Sequence, residues 1–75
     1  MTKAYVLITT EVGRVGEVQQ QLRAAGIGQV DAVAGIYDLI AVIEAADPKQ
    51  IGQTVMGQIQ HTEGVLSTVT LLQIG

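Results

Sequence analysis

The stretch Gly35-Ile36-Tyr37-Asp38-Leu39-Ile40-Ala41-Val42-Ile43-Glu44 joins a turn signal and a lone carboxylate to a strand that is apolar on both faces. Successive strand residues point to opposite sides of a sheet, so a sheet wetted on one side alternates apolar with polar residues. Here Leu39, Ala41 and Ile43 mark one face and Ile40 and Val42 the other. Both faces of the sheet are therefore expected to be covered. A chain of 75 residues has few elements with which to do this, which predicts that a second copy supplies part of the cover.

The composition agrees. Residues 1–75 are read as one domain, and a domain of this size buries only about 60% of the surface its unfolded chain exposes, so oligomerisation is a common source of added stability. With no Cys, disulfides and thiolate metal sites are excluded. The hydrophobic content of 48% comes almost wholly from Val, Ile, Leu and Ala, with two Tyr and neither Phe nor Trp. Four basic residues and a net charge of −3 repel a phosphate backbone, so direct nucleic-acid binding is not expected. The apolar runs are strand-sized and no basic segment precedes an apolar signal core, which predicts a cytoplasmic protein without a membrane segment.

Working outward, Ala4-Tyr5-Val6-Leu7-Ile8-Thr9-Thr10 reads as a first strand, and Val15, Val18 and Leu22 fall at helical spacing behind it. Gly26 and Gly28 stop that helix. Gln29 to Ala34 reads as a second strand, Gly35 and Ile36 as a tight turn, and Tyr37 to Ala45 as the returning third strand. Asp47-Pro48-Lys49-Gln50 carries a cap, a proline suited to the first helical position and a capping-box amide. The second helix follows with Ile51, Val55 and Ile59 on one stripe. Gly52 and Gly57 weaken it by up to about 1 kcal/mol each relative to Ala, which suggests close packing against the sheet. Gly64 ends it, and Val65 to Ile74 forms the last strand.

The order β-α-β-β-α-β contains two βαβ halves: Tyr5-Val6-Leu7-Ile8, a helix, Gly28 and Val30 match Tyr37-Asp38-Leu39-Ile40, a helix, Gly64 and Val65. Right-handed crossovers with the first and third strands central give an α+β fold, the ferredoxin-like four-stranded antiparallel sheet with both helices on one face. The bare face would present an apolar patch of roughly a few hundred Å² or more, the size that marks an interaction site. Sheet-to-sheet pairing of two copies, a dimeric α+β barrel, is the expected assembly.

Three segments carry a resemblance. Ala4 to Gly13, Gly35 to Ile40 with the following Val-Ile-Glu-Ala, and Gly64 to Leu72 are similar in order and spacing to the effector-binding (RAM) domain of the leucine-responsive/AsnC family of transcriptional regulators. The resemblance implies an amino-acid sensor that influences transcription or amino-acid metabolism, dimerises through its sheets, closes into a higher ring and holds a free amino acid where dimers meet. Family regulators carry an N-terminal helix-turn-helix domain. Nothing precedes Met1 here, so a stand-alone module is expected, one that could co-assemble with full-length family regulators.

By that resemblance the ligand site comprises Gly35, Ile36, Tyr37, Asp38, Thr68 and Thr70. An amino acid needs a carboxylate or carbonyls for its ammonium and N–H or hydroxyl donors for its carboxylate. Asp38 offers the first, and Thr68 and Thr70, two apart on one strand, offer paired hydroxyls. Each residue also has a plain structural use: Asp38 at a hairpin edge, the threonines as strand formers, Gly35 for its turn, Tyr37 as a packed ring with a wet hydroxyl. His61 is the only His, so no metal or other cofactor is expected. Glu11, Glu17, Asp31, Glu44, Asp47 and Glu63 read as scattered surface charges, and Gly13-Arg14-Val15-Gly16 lacks the spacing of a phosphate loop. The alternative function is a small enzyme of the dimeric ferredoxin-like barrel type, a monooxygenase or isomerase. The chain has no Trp or Asn, and its one His falls outside the strands, which favours a binding module.

Overall fold

A computed structural model describes residues 1–75. Its elements are β1 (Thr2–Thr10), α1 (Val15–Ala24), β2 (Gln29–Ala32), β3 (Leu39–Ala45), α2 (Pro48–Thr54) and β4 (Val65–Leu72), with a π-helical turn over Val55–Ile59 continuing α2. The four strands form one antiparallel sheet in the order β2-β3-β1-β4. This is the ferredoxin-like arrangement, with the first and third strands central.

One face of the sheet forms the core. Ala4, Val6 and Ile8 of β1 and Leu39, Ala41 and Ile43 of β3 are buried against Val18 and Leu22 of α1 and Ile51, Val55 and Ile59 behind them. Only 15 of the 75 residues are buried, so each one carries a large share of the stability. The helix ends are well closed. At the end of α1, the N–H of Ile27 donates to the carbonyl of Leu22 at 3.1 Å and that of Gly26 to Arg23 at 3.0 Å, the paired bonds of a Schellman motif. Ile27 and Leu22 are both buried, so the motif ends the helix and packs it in one step. At the start of α2, Asp47 Oδ1 accepts from the N–H of Gln50 at 2.9 Å. The reciprocal bond falls one residue early, because Gln50 Oε1 accepts from the N–H of Ala46 rather than from Asp47.

Four strand boundaries differ from the sequence reading, the first being β1, which begins at Thr2 rather than Ala4. β2 ends at Ala32 rather than Ala34 and β3 begins at Leu39 rather than Tyr37, so a six-residue loop replaces the tight turn at Gly35-Ile36. The cause is visible at Asp38, whose own N–H donates to Ile8 and whose carbonyl accepts from Val33, which closes the loop ahead of the regular ladder. β4 ends at Leu72, two residues before Ile74. Tyr37 therefore lies in the loop, outside the strand that the internal repeat assigned to it.

The glycines of the second helix also behave differently. A Cβ at Gly52 or Gly57 would meet no atom within 4 Å, so neither exists for close approach to the sheet. Gly52→Ala is accordingly expected to stabilise the fold by about 0.5–1 kcal/mol through the lost freedom of the unfolded chain. Thermal unfolding checks this, and a lowered melting point would restore a packing role.

The second segment of that helix has wider turns. The N–H of Gln60 donates to Val55 at 2.8 Å, a bond spanning five residues, and Val55 and Ile59 remain buried on the sheet while Met56 faces outward. The extra residue absorbed in this turn moves Gln60 and its successors off the α-helical track.

Candidate functional site

The face opposite the helices is assembled by register alone. Tyr5 lies between Val42 and Leu71, and Leu7 between Ile40 and Val69. Tyr5, Leu7, Ile40 and Val42 are only half-buried in the single chain, and Val69 and Leu71 are exposed. Polar groups ring this apolar centre: Lys3 opposite Glu44, Asp31 opposite Ile40, and Thr9 hydrogen-bonded to Ser67. The Lys3 ammonium sits 5.6 Å from the ring centroid of Tyr5. The sequence expectation of a second apolar face is met residue by residue.

The carboxylate predicted for a ligand lies at one end of this sheet and has a structural partner. Asp38 Oδ2 accepts from the backbone N–H of Thr10 at 2.8 Å and from its hydroxyl at 3.4 Å. Thr10 is the buried polar residue of β1, so the carboxylate satisfies a donor that the end of the sheet would otherwise leave unpaired. Its second oxygen, Oδ1, accepts no hydrogen bond within the chain. Gly35 sits earlier in the same loop at φ +149°, Ile36 is fully outward, and Tyr37 is half-buried.

Thr68 and Thr70 lie on the other side of β1. Thr68 pairs with Ile8, whose carbonyl also accepts from the N–H of Asp38. Two strand spacings thus separate Asp38 from Thr68, roughly 10 Å. Thr70 pairs with Val6, about 7 Å further along the strand. The two threonines share the helix side of β4, where neither helix covers them, because α1 and α2 lie over β2, β3 and β1. The loop residues and Thr68 therefore flank the end of β1 from opposite sides, and Thr70 stands apart.

Sequence reasoning missed Gln60. Its amide Nε2 donates to Thr68 Oγ1 at 3.1 Å, and Gln60, Val65, Leu66, Ser67 and Thr68 line an open groove of about 410 Å³. Two backbone irregularities shape that groove. One is the π-helical turn that delivers Gln60. The other is a β-bulge in β4, where Thr9 pairs with Ser67 but Thr10 with Val65, leaving Leu66 as the extra residue. A helical period of 3.6 places no special demand on Gln60, so no sequence signal marked it.

The acidic residues read as scattered are partly gathered. Arg14 Nη1 bonds Glu11 at 3.0 Å and approaches Glu63 at 3.5 Å, while Arg14 Nε bonds Glu17 at 2.8 Å. The hydrogen bond from Arg14 holds the Glu17 carboxyl below the usual carboxylate range, and the same bond raises the pKa of the guanidinium. Because Glu17 titrates lower in the fold than in the unfolded chain, the contact stabilises the fold above the unfolded carboxylate pKa. That contribution fades as the pH falls through the folded one. All three carboxylates are well exposed, so the effect is small.

No helix is long and apolar enough to cross a membrane, and no group of three metal-ligating side chains converges. The sheet order, the helices on one side and the open apolar side define a small ferredoxin-like α+β domain. The chain belongs to the Lrp/AsnC ligand binding domain family, whose profile matches residues 3–74. It is 35% identical over 57 residues to an uncharacterized HTH-type transcriptional regulator of Pyrococcus horikoshii, a match that covers 75% of this chain and 38% of that protein. The chain thus spans well under half the length of the curated relatives it matches. Among solved structures it resembles a protein of Thermus thermophilus, at 32% identity and a TM-score of 0.91 over 100% of this chain and 95% of that one. It also resembles FFRP-DM1, at 29% identity and a TM-score of 0.90 over 99% and 100%. A transcriptional regulator of Neisseria meningitidis, solved as a complex with L-Met, shares the fold at 12% identity and a TM-score of 0.78, over 99% of this chain and 50% of that one. The family description supports a ligand-binding role.

Proposed function

We propose that this chain is an amino-acid-sensing module that acts as a sheet-to-sheet homodimer and closes into a larger ring, influencing transcription or amino-acid metabolism without DNA contacts of its own. The observation that carries the reading is an apolar, unpartnered sheet face with a loop at one end of the same sheet whose Asp38 carboxylate keeps one oxygen unbonded within the chain. A two-fold axis through the Tyr5–Leu7 region lets one copy cover the other, apolar centre on apolar centre, in an isologous contact. The regulators among its relatives make co-assembly with full-length family members the natural route to DNA, since four basic residues against seven acidic ones release few counterions. The cytoplasm is the compartment this role requires.

The ligand chemistry follows from the groups left over. Asp38 Oδ1 is available to an ammonium, because an ionised carboxylate has about four acceptor positions and Thr10 uses only one oxygen. The backbone around Gly35 can donate to a carboxylate, whereas Thr70, which stands apart from Asp38, could reach the same ligand only from a neighbouring copy. The L-Met complex of the Neisseria regulator supports the choice of amino acids as the class to test.

A panel of the twenty amino acids in thermal unfolding tests the proposal. Saturation at about 100 times the dissociation constant stabilises the bound state by roughly 2.7 kcal/mol per site, several degrees or more for a domain of this size. Asp38→Asn should remove most of that shift while leaving the assembly intact, because Asn retains an acceptor for Thr10 and loses the charge. Alanine is the poorer choice here, since stripping the Thr10 N–H of a charged partner costs about 1.5–3 kcal/mol by itself. If no amino acid shifts the melt at millimolar concentration, the sensor reading fails.

A further inference from the structure

We infer that the groove between the π-helical turn and the bulge of β4 is the part of the effector site that selects the ligand's side chain, that Gln60 is the selecting residue, and that it favours uncharged side chains able to donate and accept hydrogen bonds. The inference rests on the amino-acid reading above. The groove, about 410 Å³ and open, is set apart from the chain's other surface depressions of about 250–490 Å³ by its lining rather than its size. Gln60 donates one N–H to Thr68, which leaves its carbonyl Oε1 and its second N–H without a partner in the chain. Thr68 accepts that bond, so its own hydroxyl hydrogen is still free to donate. Free donors beside a free acceptor match an amide or a hydroxyl.

Two competing ligand classes fit less well. None of the five lining residues is ionisable, so a charged side chain would shed water and find no counter-charge. An aliphatic side chain would cover Gln60 and Thr68 without satisfying them, and a polar group left unpaired on binding opposes the gain from apolar contact. The groove also lies on the correct part of the fold. Thr68 and Asp38 flank Ile8 on opposite sides, and roughly 10 Å is a span that an amino acid with its backbone at Asp38 and its side chain toward Gln60 can bridge in part, a neighbouring copy closing the rest.

Gln60 is exposed, and its backbone bond to Val55 does not depend on the side chain, so Gln60→Ala should fold and assemble as the parent does. Titration calorimetry with the twenty free amino acids is the test. In the parent chain, amide and hydroxyl amino acids are expected to bind best. In Gln60→Ala their affinity should fall about tenfold, as loss of one or two neutral hydrogen bonds implies, while aliphatic amino acids change less than about twofold. Gln60→Glu should move the ranking toward lysine and arginine, a change that a merely structural residue would not produce. If Asp38→Asn abolishes binding while both Gln60 variants keep the parent's ranking, the selecting role is wrong and the sensor reading stands. If aliphatic amino acids are the best ligands of the parent chain, the inference is likewise overturned. If no amino acid binds the parent chain, both fall.

Discussion

Leu7→Glu should leave the protein monomeric at micromolar concentrations at which the parent chain is expected to be at least a dimer. Leu7 is flanked by Ile40 on one side and Val69 on the other, at the middle of the open face. A carboxylate there would be buried on assembly with no basic residue at its level, and the cost of burying an unpaired ion is several kcal/mol. An isologous contact repeats the substitution across the two-fold axis, so two like charges enter one interface. A loss of about 4 kcal/mol raises the dissociation constant by roughly a thousandfold. Light scattering measures the outcome directly. Within the single chain Leu7 is half-exposed, and an acidic side chain can reach solvent once the partner has left, so the variant separates assembly from folding. A parent chain that is a well-folded monomer, or a Leu7→Glu variant that keeps the parent's mass, would show that this face is not the contact.

Gly64→Ala should destabilise the fold by about 2–5 kcal/mol, the sum of a conformational and a packing cost. The residue has φ +98°, a conformation that costs an L residue about 1–2 kcal/mol. A Cβ would also stand 2.8 Å from Val18 Cγ2 and 3.4 Å from the Arg14 guanidinium. Val18 is fully buried and β-branched, so it has little freedom to turn away, and forced overpacking typically costs about 1–3 kcal/mol. The carbonyl of Gly64 meanwhile accepts from the N–H of Glu11 at 2.8 Å, so the backbone cannot shift without opening the junction of β1, α1 and β4. Gly26 supplies the internal control. It has the same φ of +98°, but a Cβ there meets open space, so Gly26→Ala should show the conformational part alone. Equal losses for the two variants in urea unfolding would mean that the contact with Val18 relaxes at no cost.

The sheet was legible in the sequence because its signal is periodic. Leu39, Ala41 and Ile43 against Ile40 and Val42 assigned both faces of β3 correctly, and the strand order followed from two right-handed crossovers. The cap at Asp47 was equally local and equally readable. The loop between β2 and β3 was not, since its length is set by the bond that the Asp38 N–H donates to Ile8 and the one its carboxylate accepts from Thr10, residues far away along the chain. In the acidic cluster around Arg14, Glu63 was hidden for the same reason, being distant along the chain, whereas Glu11 and Glu17 stand three residues to either side of Arg14. Within the candidate site, the glycine, the carboxylate and the threonines could be named from resemblance, whereas Gln60 depends on a helical turn of the wrong width and a bulge in the strand beside it. Neither irregularity leaves a repeat in the residue pattern.

The π-helical turn bears on how such a domain diversifies. An α-helix rotates by about 100° per residue, so gaining or losing one residue ordinarily turns every later side chain away from its neighbours. A turn that already accommodates a surplus residue between Val55 and Ile59, with both still seated in the core, gives an insertion or deletion a place to occur without unseating the helix. The residue swung round by such an event is the one at position 60. Lineages of this fold could therefore change the group presented beside β4 through a single-codon change in length, with the sheet inherited intact.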